Sequence, residues 1–489
     1  MKTDKAEINH LAKYLQEIGH SLDNFLKFKH PDALTDSQNW QHKIEQPLPL
    51  DGIGIDKLVQ ELNQLVIPNG SPVPNPNFSA FITTGATTSS VLATTAASVA
   101  SPQRYLKTAF NFIEELSLLW LAELCGVANL RGVYSSGGSV ANLIALGGAR
   151  QSAYEKLGYD PAADGLTSPG IIYASEECHH TIQRSAGVLG LGRKNVQIIP
   201  CDKLGRMDVR ALSQAIKSNA TLNRCQVAVV ANAGTTNRGM IDPVYEIACI
   251  AREHEIWFHV DGAYGLPGIL DDRLKEKYKG LEHADSVIVD PHKWLGAAVG
   301  VAATFVKDRE LLQRAFTQEP ADYLEGSALA QQDNHSSDKE PAHSMDDFGI
   351  PYFDYGVELS APCRGIAVWA ILKEIGLYGL KQRIIRHNEM ARLLEKLASA
   401  HPNLEVLSPA ELSICCFRYV DASIKDLNQF TQVLHRRLIR ENQFLPSTTK
   451  VNGELAIRPC YIGARAELEQ VEGLVNAVIR IGKEMTHSQ

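Results

Sequence analysis

Four short apolar runs constrain this chain more than any other feature: Ile171–Ser175, Val227–Val230, Ile256–Asp261 and Val287–Val289. Each is too short for a helix and too apolar for a surface, the pattern of strands buried on both faces. Helical patterns such as Val244–Glu253 lie between them. Strand, loop, helix and strand in alternation predict a parallel, doubly wound sheet. Ligand chemistry in such sheets gathers at the C-terminal strand ends. Two charged residues stand at such ends: Asp261 closes its apolar run, and Lys293 follows Val287–Val289 once Pro291 has ended that strand. They are 32 residues apart (293 − 261), with a helix-sized segment and one strand between, so both face one site.

With 489 residues the chain is too long for one small domain and fits two or three sharing a core. Its 44% hydrophobic and 21% charged residues are those of an ordinary soluble protein, and a net charge of −8 argues against nucleic acid as a partner. No apolar run reaches the roughly 18 residues of a membrane span, and Met1–Lys5 lacks the apolar core of a signal peptide. The nine cysteines have no metal-binding spacing and read as reduced thiols of a cytoplasmic protein.

A desolvated lysine at a strand end can lose its proton and form a Schiff base. An unpaired carboxylate at the end of an apolar strand, Asp261, needs a cationic partner; capping the next turn is its plainer use. Val133–Asn142 reads Val-Tyr-Ser-Ser-Gly-Gly-Ser-Val-Ala-Asn and opens a helical run to about Leu157. Glycines let the backbone approach a ligand, and free N–H groups at a helix start favour an anion. The segment is a phosphate cradle in form, or a glycine turn with a serine cap. It lacks the Gly-Lys-Ser/Thr of a nucleotide P-loop.

Asp290-Pro291-His292-Lys293-Trp294 resembles the cofactor-lysine motif of the group II pyridoxal-phosphate (PLP) decarboxylases, which include aromatic amino acid, glutamate and histidine decarboxylases. Five segments match in order over about residues 68–480. The resemblance implies a PLP-dependent transferase fold of type I. That fold is α/β, with a mostly parallel seven-stranded sheet in a large domain (68–374), an N-terminal helical arm (1–67) and a small C-terminal α+β domain (375–489). It implies decarboxylation of an L-amino acid to its amine and carbon dioxide through a Schiff base at Lys293. Gly138 and Ser139 would hold the phosphate, His179 would stack on the ring and Asp261 would meet the ring nitrogen. Thr236 and Ala263 would lie beside the ring, and Thr84 near the leaving carboxylate. His180 is the less favoured neighbour of His179. Asp290 stands where many members have asparagine, so an anion faces the phosphate unless local N–H groups or His292 offset it.

The family also has a mobile catalytic loop whose tyrosine protonates the carbon left by carbon dioxide. Counting back from Arg364 and Trp369 places it at Tyr352, with Tyr355 the alternative register. The polar stretch Glu319–Gly349 reads as a lid or a disordered segment, and its His335, Asp338, Glu340 and His343 suit a polar substrate or plain solvation. The family is normally a homodimer with its site at the interface. The apolar stripe Ile8, Leu11, Leu15, Ile18, Leu22 and Phe25 gives the arm a face to pack on a second subunit. An aldehyde-forming decarboxylase and an aminotransferase or lyase of the same fold are the competing readings. The sequence does not name the amino acid.

Overall fold

The structure is a computed structural model describing residues 10–29, 37–104, 107–166, 168–317 and 349–487. The lid stretch and its four named side chains lie outside the described residues. The chain starts with α1 (Leu11–Phe25), α2 (Ser37–Ile44) and α3 (Ile55–Glu61). None of α1 is buried, and Leu11, Leu15 and Leu22 are each about two-fifths exposed. The short strand β1 (Phe78–Ser79) and helices α4 (Thr88–Ala100) and α5 (Ala109–Leu124) follow.

Seven strands then build the large sheet: β2 (Arg131–Ser135), β3 (Ile171–Ser175), β4 (Val196–Ile199), β5 (Gln226–Asn232), β6 (Trp257–Asp261), β7 (Ser286–Val289) and β8 (Ala302–Val306). Their order is β2-β8-β7-β6-β5-β3-β4. All neighbours run parallel except β8, which is antiparallel to both β2 and β7. The parallel core is what the apolar runs predict, and the mostly parallel, seven-stranded α/β sheet is what the family resemblance implies. Helices α6 (Gly138–Glu155), α7 (Thr181–Val188), α8 (Val209–Thr221) and α9 (Val244–Glu253) carry the crossovers from β2 through to β6. Helix α10 (Arg309–Phe316) follows β8.

Val229, Val230, Val260 and Ile288 have no exposed surface. Burying each contributes about 1.5–3 kcal/mol before entropy is subtracted. Helix α6 lies across β5, β6, β7 and β8. On another face its glycines let α10 pack closely: a Cβ on Gly147 would meet the Phe316 ring at 2.3 Å.

Gly365–Ala400 is one long helical run broken at Gly376, whose φ of +63° is left-handed. Beyond it, β9 (Leu404–Ser408), β10 (Cys416–Tyr419), β11 (Leu445–Val451) and β12 (Glu454–Arg458) form the small sheet, in the order β1-β11-β12-β10-β9. One short strand crosses the expected division of the chain. Strand β1, within the expected large-domain span, pairs in parallel with β11. Leu445 N donates to Asn77 O and Cys460 N to Ser79 O, so the proline-held segment before Thr84 is stitched to the C-terminal third.

Candidate active site

The C-terminal ends of β2, β3, β5, β6 and β7 open into one cavity of about 360 Å³. Nine of the expected residues line it: Gly138, Ser139, His179, Thr236, Asp261, Ala263, Asp290, His292 and Lys293. A larger cavity, about 700 Å³, opens at the opposite end of the same central strands, beside Gln226, Trp257, Asp285 and Lys307. It holds neither Lys293 nor Asp261, so chemistry and not size selects the site.

Lys293 sits in the turn after β7, its side chain about one-fifth exposed and its Nζ 3.0 Å from Asp290 Oδ2. Asp290 is 1% exposed, and its Oδ1 has no partner among the described residues. A Cβ on Gly138 would lie 2.7 Å from Asp290 Oδ2, so the carboxylate and the start of α6 share one wall. His292 meets the antiparallel β8 where that strand begins: its Nδ1 is 2.6 Å from Val301 O, and its Nε2 is 3.8 Å from Asp290.

Asp261 is 7% exposed and accepts hydrogen bonds from Ala263 N at 3.1 Å and Asn142 Nδ2 at 3.0 Å. No cation pairs with it among the described residues. His179 Nδ1 accepts from Thr181 N at 3.3 Å and lies 2.9 Å from Thr181 Oγ1. Its proton is therefore on Nε2. Burial holds its pKa below the ordinary histidine value, which keeps the ring neutral. His180, exposed, does not line the cavity.

Two expected site residues are elsewhere. Thr84 is buried and donates to Gly85 O at 3.3 Å; its segment flanks the lysine turn, where Thr87 N donates to Gly296 O. Tyr352 lies away from this cavity. Its ring is fully buried, its hydroxyl donates to Glu115 Oε2 at 2.6 Å, and Arg309 holds the same oxygen at 2.7 Å. Burial and the Glu115 charge push its pKa far up, which makes the phenol a poorer acid. Tyr355 packs against Arg309 and is likewise not at the cavity. Both tyrosines anchor the chain after residue 348 to α5 and α10.

Sequence reasoning missed three residues. Asn142 is four positions after Gly138 on α6 and so shares its face. His259, two before Asp261 on β6, shares the face of that carboxylate. Arg458 is 3% exposed yet bonds only to neutral oxygens, among them Phe81 O at 2.8 Å and Thr236 O beside the cavity. A strand-end arginine in an apolar run was its signal.

The fit to PLP is chemical. Free amides at the start of α6 suit a phosphate, the unpaired Asp261 suits a protonated pyridine nitrogen, and Lys293 suits the aldehyde. A family profile, the pyridoxal-dependent decarboxylase conserved domain, matches residues 38–420. The chain belongs to that family. It is 29% identical to an aromatic-L-amino-acid decarboxylase of Bacillus atrophaeus, over 95% of this chain and 93% of that one. An acidic amino acid decarboxylase of Xenopus tropicalis is 27% identical over 97% and 93%. The crystal structure of Oryza sativa TDC with PLP and tryptamine superposes with a TM-score of 0.86 at 22% identity, covering 99% of this chain and all of that one. Relatives that differ this much in substrate fix the reaction class and leave the amino acid open.

Proposed function

We propose that this chain decarboxylates an L-amino acid to its amine with PLP held at Lys293. The observation that carries the reading is one cavity in which an amine, Lys293, and an unpaired carboxylate, Asp261, sit together beside the start of α6. When bound there, PLP supplies an electron sink for the pair left by departing carbon dioxide. Asp261 would hold the ring nitrogen in its protonated form, His179 would cover one face, and Ala263 and Thr236 would border the ring. Gly138 and Ser139 would take the phosphate. Arg458, a buried cation paired with no carboxylate among the described residues, suits the substrate's carboxylate.

Within one subunit neither Tyr352 nor Tyr355 lines the cavity. Residues 318–348 contain a single tyrosine, Tyr323, which becomes the candidate for the family's loop tyrosine. The exposed stripe of α1, with Leu48 and Leu50 at 86% and 97% exposure, supports a homodimer in which a second copy covers the arm. All nine cysteines are free, which suits a reducing, cytoplasmic setting, and no described helix is long and apolar enough to cross a membrane.

The test is an absorption spectrum of the purified protein before and after borohydride, with the modified lysine located by mass. Pyridoxyl on Lys293, then carbon dioxide and amine from one member of an amino acid panel, is the expected result. A protein that takes up no PLP overturns the reading. Hydrogen peroxide with aldehyde would mark an aldehyde synthase, and keto acid without carbon dioxide an aminotransferase.

A further inference from the structure

A chain of hydrogen bonds runs through the large sheet and ends on Asp261. Trp257 Nε1 donates to Ser286 Oγ at 2.7 Å, and that oxygen is 2.8 Å from His259 Nδ1. His259 Nε2 is 2.8 Å from Asn142 Oδ1, and Asn142 Nδ2 donates to Asp261 Oδ2 at 3.0 Å. The ends have fixed polarity, because an indole only donates and a carboxylate only accepts. With Asn142 Nδ2 turned to Asp261, Oδ1 faces His259, which must carry its proton on Nε2. His259 Nδ1 then accepts from the Ser286 hydroxyl. Burial lowers the His259 pKa to about 4, so the ring is neutral and has one donor and one acceptor nitrogen. A single assignment satisfies every link.

The same amide has a second branch. Asn142 Nδ2 also donates to Thr181 Oγ1 at 3.1 Å, and Thr181 Oγ1 is 2.9 Å from His179 Nδ1. One side chain therefore reaches the group facing the ring nitrogen and the group covering the ring face.

We propose that Asn142 is a positioning residue whose amide holds the Asp261 carboxylate and directs His179 together, and that His259, Ser286 and Trp257 fix which way that amide points. The inference rests on PLP lying between Asp261 and His179. Without His259, Oδ1 of Asn142 loses its donor inside the protein, and only the Asp261 and Thr181 acceptors still hold the amide, so its position is less sharply fixed.

The test compares His259→Leu, His259→Gln and Ser286→Ala with wild type, using apoprotein titrated with PLP and the absorption spectrum of the bound cofactor. His259→Leu should weaken PLP binding by about 10-fold or more, the scale of lost outer-shell orienters in metal sites, and change the balance of absorption bands. Glutamine offers an N–H to Asn142 and should return affinity to within about 3-fold of wild type with a wild-type spectrum. Ser286→Ala leaves the imidazole in place and should fall between them, so the proposal stays testable should His259→Leu not fold. Equal PLP affinity and spectra for the leucine and glutamine variants, or a Ser286→Ala protein identical to wild type, overturns the role of the chain. A wild-type protein that binds no PLP overturns the cofactor reading as well, which separates the two failures.

Discussion

Replacing Tyr352 by phenylalanine separates an anchor from a catalyst. The lost hydroxyl belongs to a fully buried side chain and donates at 2.6 Å to a partly exposed carboxylate. Hydrogen bonds to charged groups contribute about 1.5–3 kcal/mol each. The lower end applies here, because Glu115 Oε2 keeps Arg309 at 2.7 Å after the substitution and phenylalanine leaves almost no void. The expected cost is therefore about 1.5 kcal/mol, or roughly 1–2 °C in the thermal midpoint of a chain of 489 residues. Catalysis should survive, with kcat/KM within about 3-fold of wild type and amine as the only product. Differential scanning fluorimetry reads the first quantity, and paired assays of carbon dioxide and hydrogen peroxide read the second. A stable Tyr352→Phe protein that has lost decarboxylation, or that releases peroxide and aldehyde, would refute the anchor and restore Tyr352 as the donor. Tyr323→Phe is the informative partner, since the activity loss should appear there.

Gly138→Ala puts a methyl 2.7 Å from Asp290 Oδ2, and PLP affinity measured on the apoprotein should drop about 10-fold or more, whereas an unchanged value would place the phosphate elsewhere. Asp290→Asn removes a buried anion from the wall shared with the start of α6; PLP should bind about 5-fold tighter, roughly 1 kcal/mol, and weaker binding would mean that the Lys293 pair outweighs the phosphate. Deleting residues 1–50 removes α1 and the exposed Leu48 and Leu50. Sedimentation should then show dissociation at concentrations where the full chain is dimeric, and an unchanged species would remove the arm from the interface.

How much of this was legible in the sequence depended on local contrast. The runs ending at Asp261 and Val289 stand out because strands buried on both faces are unbroken apolar stretches, and a charge at their end is conspicuous. Strand β4 escaped notice because its middle, Gln197 and Ile198, is not buried, so no apolar block forms. Helix α4 is rich in threonine, serine and valine, poor helix formers that tertiary packing overrides. Asn142 and His259 look ordinary, because a hydrogen-bond hub exists only once α6 lies on β6. The surroundings of Tyr352 were hidden for the opposite reason. Its spacing from Arg364 was sound arithmetic, but register says nothing about which way a ring points, and Glu115 and Arg309 are far away in sequence.

The placement of α6 reaches beyond its individual contacts. Gly138 and Asn142 are four residues apart, or about 6 Å along a helix axis, and the helix between them is stiff. With the cofactor bound as proposed, its phosphate end and its ring end would be gauged by one rigid body. A ligand that fails at one end also loses alignment at the other, so discrimination between phosphorylated and unphosphorylated vitamers should exceed what the phosphate contacts supply alone.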